Sequence, residues 1–337
     1  MILVTGGTGL VGSHLLFQLV SKGLAVRAVY RDFTKLEGVR KLFGFYSEDA
    51  DAYFEQINWS EASLNDIPAL EEAFSSVTHV YHCAALISFD PGDFKALVRT
   101  NQIGTANVVN LCITNKVHKL CYVSSIATLG KTPDNSKIDE ETAWNSTNGN
   151  PYALTKHLAE MEVWRGTQEG VPAVIVNPGV IIGPGNWKSG SGKLFRLAAK
   201  GLSFYPPGGS GFVSVDDVIR MMVELMESEI ENEQFIAVES NLSYQEVLSD
   251  IALALGRKVP TKKIPMGLLK LLWRLDWLRG NLSGQQRKLT KAQVASLMKR
   301  SYYNTDKARH RLKFEYTPLL SSIEFTTKKF RESNPSL

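Results

Sequence analysis

Short apolar runs alternate with amphipathic segments through the first half of the chain. ILVT (2–5) reads as a buried strand, and Leu10 to Lys22 as a helix with Leu15, Leu16, Leu19 and Val20 on one face. AVRAVY (25–30) reads as a second strand, Tyr53 to Trp59 as a third, HVYHCAA (79–85) as a fourth and KLCYVSS (119–125) as a fifth. A helix is expected over about Asp93 to Asn115, and another from Pro151, favourable in a first turn, to Glu169, with Gly170 ending it. PAVIVNP (172–178) is a sixth strand. Strands alternating with helices require a parallel sheet covered on both faces, so the predicted fold class is α/β with a doubly wound sheet.

The rhythm breaks after Pro178. Residues 179–211 are rich in Gly and Pro, FVSVDDVIRMMVELM (212–226) looks like one more helix with its lead-in, and QFIAVE (234–239) like a last strand. From Ser243 onward the pattern is mostly helical. The expected organisation is therefore interleaved. A nucleotide-binding domain spans 1–178 and 212–240, and a smaller, mostly helical substrate domain spans 179–211 and 241–337.

Composition changes this picture little: 337 residues, 44% hydrophobic and 21% charged, suit a globular chain of two domains. No apolar run reaches the roughly 18–20 residues that cross a bilayer, and the opening MILVTGG lacks the basic region of a signal peptide. Three scattered Cys argue against a disulfide framework or a metal site, and the expected location is a reducing cytoplasm. Charge is uneven. Residues 257–337 carry 19 Lys+Arg against 5 Asp+Glu, although the whole chain nets only +4. A basic region of this kind meets solvent, an anionic substrate or a membrane surface; no nucleic-acid-binding motif accompanies it.

The first strand ends in Thr5-Gly6-Gly7-Thr8-Gly9-Leu10-Val11-Gly12. Glycines at this spacing allow a tight strand-to-helix turn, close approach to a pyrophosphate and close helix–sheet packing, while the helix start offers free N–H groups to phosphate. The context predicts dinucleotide binding in a Rossmann fold. An acid at the end of the second strand would select NAD, and an Arg there NADP. The sequence reads Tyr30-Arg31-Asp32, so Arg31 favours NADP, while Asp32 keeps NAD as the alternative.

A Tyr and a Lys four residues apart occur twice, at Tyr152/Lys156 in NPYALTK and at Tyr303/Lys307. On a helix this spacing puts both on one face. The motifs TGGTGLVG, HCAA (82–85), NQIGTANVV (101–109), VSSIATLG (123–130), YALTK (152–156) and NPGVIIGPG (177–185), in this order, resemble the extended short-chain dehydrogenase/reductase family. Within it they resemble the branch of dihydroflavonol reductases, cinnamoyl-CoA reductases and hydroxysteroid dehydrogenases, beside the NAD-dependent epimerase/dehydratase proteins. The resemblance implies that Tyr152 is the general acid/base, that Lys156 lowers its pKa and holds the nicotinamide ribose, and that Ser125, with Ser124 as fallback, hydrogen-bonds the substrate oxygen. It implies that Asn101 orders a relay water. It extends the cofactor set beyond the glycine loop and Arg31 to Ser63, Leu64, Ala84, Ala85, Pro178 and Val180. The family usually has an Asp before Leu64-Asn65-Asp66; Ser63 stands there, which puts adenine recognition by a side chain in doubt. Tyr303/Lys307 has neither a strand end nor a glycine loop nearby and reads as structural.

A hydrophobic carbonyl or alcohol is the expected substrate, with Leu86, Ser88, Phe89, Trp187, Phe204 and Tyr205 as candidates to line its pocket. MGLLKLLWRLDWLRG (266–280) places Leu268, Leu271, Leu272, Leu275 and Leu278 on one helix face and Lys270 and Arg274 opposite. Such a helix is a pocket wall or a membrane contact. The expected function is an NADP-dependent oxidoreductase. The alternatives are an NAD-dependent nucleotide-sugar epimerase or dehydratase, against which Ile126-Ala127 after Ser125 argues, and a non-catalytic NADP-binding sensor. A homodimer is implied by the resemblance alone.

Overall fold

The computed structural model describes residues 1–130, 132, 136–145, 150–283, 287 and 289–335. Its strands are β1 (Ile2–Thr5), β2 (Val26–Tyr30), β3 (Asn58–Glu61), β4 (His79–His82), β5 (Lys119–Val123), β6 (Ala173–Pro178), β7 (Val180–Ile182), β8 (Phe204–Tyr205), β9 (Gly209–Ser214), β10 (Glu233–Ala237), β11 (Ser240–Ser243) and β12 (Lys262–Lys263). The first helices are α1 (Leu10–Ser21), α2 (Leu36–Phe43), α3 (Ala50–Glu55), α4 (Ile67–Ala73), α5 (Phe94–Leu97), α6 (Gly104–Thr114) and α7 (Pro151–Gln168). They are followed by α8 (Gly192–Ala199), α9 (Val215–Glu227), α10 (Tyr244–Ala254), α11 (Met266–Ser283), α12 (Lys291–Met298), α13 (Asp306–Arg311) and α14 (Leu319–Ser333).

Seven strands form one sheet in the order β3-β2-β1-β4-β5-β6-β10, with every neighbouring pair parallel. This is a doubly wound Rossmann sheet. Its strand order reverses between β1 and β4, which opens a crevice at their carboxyl ends. Alternate side chains enter opposite layers. Val4, Ala28, Tyr81, Cys121 and Val174 pack with α1, α2, α3 and α9, whereas Leu3, Val29, Val80, Leu120 and Ile175 pack with α4, α6 and α7. Two-sided burial is why these strands are apolar throughout instead of alternating.

Beyond Pro178 the chain leaves this sheet. β7 pairs with β9, and β11 lies antiparallel on the other side of β9; β8 and β12 make a separate two-stranded ribbon. A distinct apolar cluster joins Ile182, Phe195, Phe212, Val247, Ile251, Ile323 and Phe330. The chain returns through α9 and β10, the latter beside β6.

Two expectations shift, and the expected helix after 212 gains a defined lead-in. The third strand is Asn58–Glu61, and Tyr53 belongs to helix α3. The apolar residues Tyr53, Phe54 and Ile57 fall at helical spacing, and that period outranks their β propensity. The helix over Asp93–Asn115 is divided by a π-helical stretch, Val98–Ile103, that holds Asn101. Residues 212–214 close strand β9, and α9 begins only at Val215, capped by the Ser214 side chain on Asp217 N at 3.1 Å.

Candidate functional site

The glycine loop fills the turn from β1 into α1. Gly6 has φ +70°, and a Cβ there would sit 2.6 Å from the Ala84 backbone after β4. A Cβ on Gly12 would lie 2.2 Å from Gly6 O, so the helix seats directly on the loop. A cavity of about 190 Å³ runs over this turn, bounded by Gly6, Thr8, Gly9, Arg31, Ser63, Leu64, Ala84 and Ala85. Gly7, Leu10, Val11 and Gly12 do not line it; Gly7 and Gly12 are buried, and Leu10 and Val11 are half-buried.

The same cavity is lined by Tyr30 and Asn65 of the motifs read above and by Lys35 and Thr100, which motif reading did not single out. Lys35 places a second cation beside Arg31. Its neighbour Asp32 is occupied locally. Its carboxylate accepts from Thr34 N at 3.0 Å and Thr34 Oγ1 at 2.5 Å, and this bonding holds it below the usual carboxylate range. The exposed Gly9 of the turn and the cations at the rim fit a nicotinamide dinucleotide.

Tyr152 stands in the first turn of α7. Asn150 caps that helix, its Oδ1 accepting from Tyr152 N at 3.1 Å and Ala153 N at 3.3 Å. Burial pushes the Tyr152 phenol up to about 12, against a hydrogen bond with Ser125 that lowers it. Ser125 follows β5 and also accepts from Ala127 N at 3.1 Å.

Lys156 lies one turn further along α7, 1% exposed. Its ammonium donates to Val123 O at 2.8 Å and to the Tyr122 hydroxyl at 2.5 Å, and lies 4.1 Å from the centre of the Tyr122 ring. Desolvation lowers its pKa to about 7, opposed by the nearby Glu160 carboxylate. Glu160 is itself buried; it accepts from Thr128 Oγ1 at 2.8 Å and Asn177 Nδ2 at 2.7 Å, and burial raises its pKa. Ser124, the fallback for Ser125, is buried beside Glu160, and its hydroxyl has no hydrogen-bond partner among the described residues.

Asn101 clamps the loop after β4. Its Oδ1 accepts from Leu86 N at 2.7 Å, and its Nδ2 donates to Leu86 O at 3.0 Å and Thr155 Oγ1 at 3.1 Å. The side chain is thus committed to protein partners.

A second cavity, of about 310 Å³, opens over Ser125 and Tyr152. Of the six side chains expected to line it, Phe89 does so and packs on Tyr152 with ring centroids 5.7 Å apart. The others are placed elsewhere. Ser88 donates to Asp93 Oδ2 at 2.6 Å within its own loop, and Leu86 is held by Asn101. Trp187 packs on Phe195 and Phe330; Phe204 and Tyr205 form the β8 ribbon. Val180 lines the cavity, while Pro178 is buried in β6 opposite Ala237.

The far wall comes from Leu129, Ile138, Trp144, Tyr244, Ala292 and Tyr303. Tyr303 is therefore a cavity residue, contrary to its structural reading, although Lys307 is not its partner there. Lys307 pairs with Glu233 at 3.0 Å and lies over the Phe235 ring. The helix at 266–280 contributes Trp273 and Trp277 to a third space of about 620 Å³, which shares Ala292, Ala295 and Lys299 with the second.

The family model of the NAD-dependent epimerase/dehydratase family matches residues 2–237. The chain is 26% identical over 275 residues to sterol demethylase protein B of Methylococcus capsulatus, covering 80% of this chain and 78% of the relative. It is 27% identical over 278 residues to cinnamoyl-CoA reductase 1 of Petunia hybrida, covering 79% of each. Among solved structures, gox2253 superposes with a TM-score of 0.81 at 25% identity, covering 99% of this chain and 98% of that one. With its glycine loop, its switch-point crevice and this match, the chain belongs to the NAD-dependent epimerase/dehydratase family of extended short-chain dehydrogenases/reductases.

Proposed function

We propose that the protein is an NADP-dependent oxidoreductase acting on a hydrophobic carbonyl compound or the corresponding secondary alcohol, with Tyr152 as its acid/base. One observation carries the reading: Tyr152 and Ser125 line the same cavity, walled by Phe89, Leu129, Ile138 and Trp144, with the Ser125 hydroxyl acting to lower the Tyr152 pKa. In reduction, Ser125 and Tyr152 hold the carbonyl oxygen between them, and Tyr152 gives it the phenol proton. With a pKa near 12, Tyr152 keeps that proton at neutral pH. Lys156, on the same helix face, stabilises the phenolate left behind. Bound nicotinamide supplies the hydride to the carbonyl carbon. The names of two relatives, a cinnamoyl-CoA reductase and a sterol demethylase protein, agree with an apolar substrate.

The NADP preference rests on Arg31 and Lys35 at the cavity rim and on Asp32 being occupied by Thr34. Calorimetry should show NADPH binding more tightly than NADH. Arg31→Ala should cost the NADPH complex about tenfold or more and leave NADH nearly unchanged. Equal affinities in the parent protein would refute the preference. A second reading, an NAD-dependent nucleotide-sugar epimerase, is favoured by the hydroxyls of Ser210, Tyr244, Ser296 and Ser301 along the cavity wall. Mass spectrometry of the purified protein separates the two: tightly retained NAD supports the epimerase, and a cofactor that washes out supports the oxidoreductase.

A further inference from the structure

Helix α11 is amphipathic in an unexpected sense. Its inward side holds the buried Leu269, the half-buried Trp273, and Asp276, which accepts from Leu289 N at 2.9 Å. The six leucines Leu268, Leu271, Leu272, Leu275, Leu278 and Leu282 are 41–80% exposed. At 3.6 residues per turn they span about 120° of the helix surface, with Leu269 about 60° from its edge, and Arg279, which pairs with Asp276 at 2.7 Å, also falls within the span. Isolated exposed leucines need no explanation, but a continuous stripe of six marks a contact surface.

Charge identifies what covers it. Lys270 and Arg274 are exposed along one border of the stripe, and Lys262 and Lys263 precede the helix on its exposed lead-in. The region from 257 onward has 14 more cations than anions. A second copy docked through this stripe would bring two such cationic borders together. An anionic bilayer accepts both the leucines and the cations. No helix among the described residues is long and apolar enough to cross a membrane, so α11 would lie in the plane of the interface. Trp277, 44% exposed, lies beyond Lys270 and Arg274 from the leucines, and with Trp273 it walls the 620 Å³ cavity behind the helix.

We propose that α11 is an interfacial anchor that seats the protein on an anionic phospholipid surface, with the cavity behind Trp273 and Trp277 held next to the lipid. The anchor itself does not depend on the catalytic reading.

Vesicle flotation of the intact protein tests it, using phosphatidylcholine alone and phosphatidylcholine with phosphatidylglycerol. The anionic vesicles should bind at least about tenfold better. Leu271→Glu with Leu275→Glu should abolish binding, and Lys270→Glu with Arg274→Glu should erase the preference for anionic lipid. Thermal melting and NADPH binding should be unchanged in both variants, which shows that they fold. Failure of the parent protein to float with either vesicle overturns the proposal, as does parent-like binding by the leucine variant. Light scattering that shows a dimer dispersed by the leucine variant overturns it too, because a second copy would then cover the stripe.

Discussion

The chain contains the same spacing twice, Tyr152/Lys156 and Tyr303/Lys307, and the fold makes two different objects of it. Tyr152 and Lys156 share α7, capped by Asn150, so four residues bring them onto one face. Tyr303 lies in an extended segment bridged to Ile138, and α13 begins only at Asp306. The second pair straddles a loop and a helix start. Tyr303 faces the substrate-sized cavity, while Lys307 turns to Glu233 and Phe235 at the end of the sheet. Burial pushes both phenols up to about 12, so an elevated pKa alone does not distinguish them. A neighbouring serine does not distinguish them either, Ser125 for Tyr152 and Ser301 for Tyr303; what separates them is that Tyr152 shares a helix with Lys156.

The comparison breaks most sharply at Tyr152. Tyr152→Phe should lower carbonyl reduction by about 10²–10⁴-fold while calorimetry shows unchanged cofactor affinity. Unchanged turnover would remove the asymmetry between the two tyrosines. The next largest effect is one of pH. Lys156 loses its proton near 7, so its charge is present below that pH and fades above it. If that charge supports the phenolate, the kcat of reduction should be flat below pH 7 and fall by up to about tenfold per unit above it. A profile still flat at pH 9 would show that Lys156 works without its charge.

Tyr303→Phe should raise KM by roughly 3–10-fold with kcat nearly intact, since it removes a hydroxyl from the cavity wall and none from the proton path. A loss of kcat equal to that of Tyr152→Phe would make Tyr303 a second acid. Lys307→Ala should have the smallest consequence, about 0–1 kcal/mol in denaturant unfolding, because its ion pair is partly exposed.

Much of this was legible beforehand because its physics is local. The Gly6–Gly12 turn, the Asn150-Pro151 start of α7 and the apolar strands each announce themselves within a few residues. Asn101 was legible as a special position but not as a clamp, because Leu86 and Thr155 lie 15 and 54 residues from it. The third strand was misplaced where an aromatic pair, Tyr53 and Phe54, fits both helical and strand patterns. Lys35 was invisible because it acts only after the turn at Phe33–Lys35 folds it back beside Arg31.

The sequence by itself determined the doubly wound sheet, the glycine turn after β1 and the helix shared by Tyr152 and Lys156, since periodicity, glycine spacing and helical phase are properties of short segments. Only the tertiary structure decided what lines the cavity over Ser125 and Tyr152. Ile138, Tyr244, Ala292 and Tyr303 come from four separate stretches, and no spacing rule connects residues brought together by packing. It also decided which side of α11 faces outward. A helical period shows that a face is apolar, but only the neighbouring elements determine whether that face is covered.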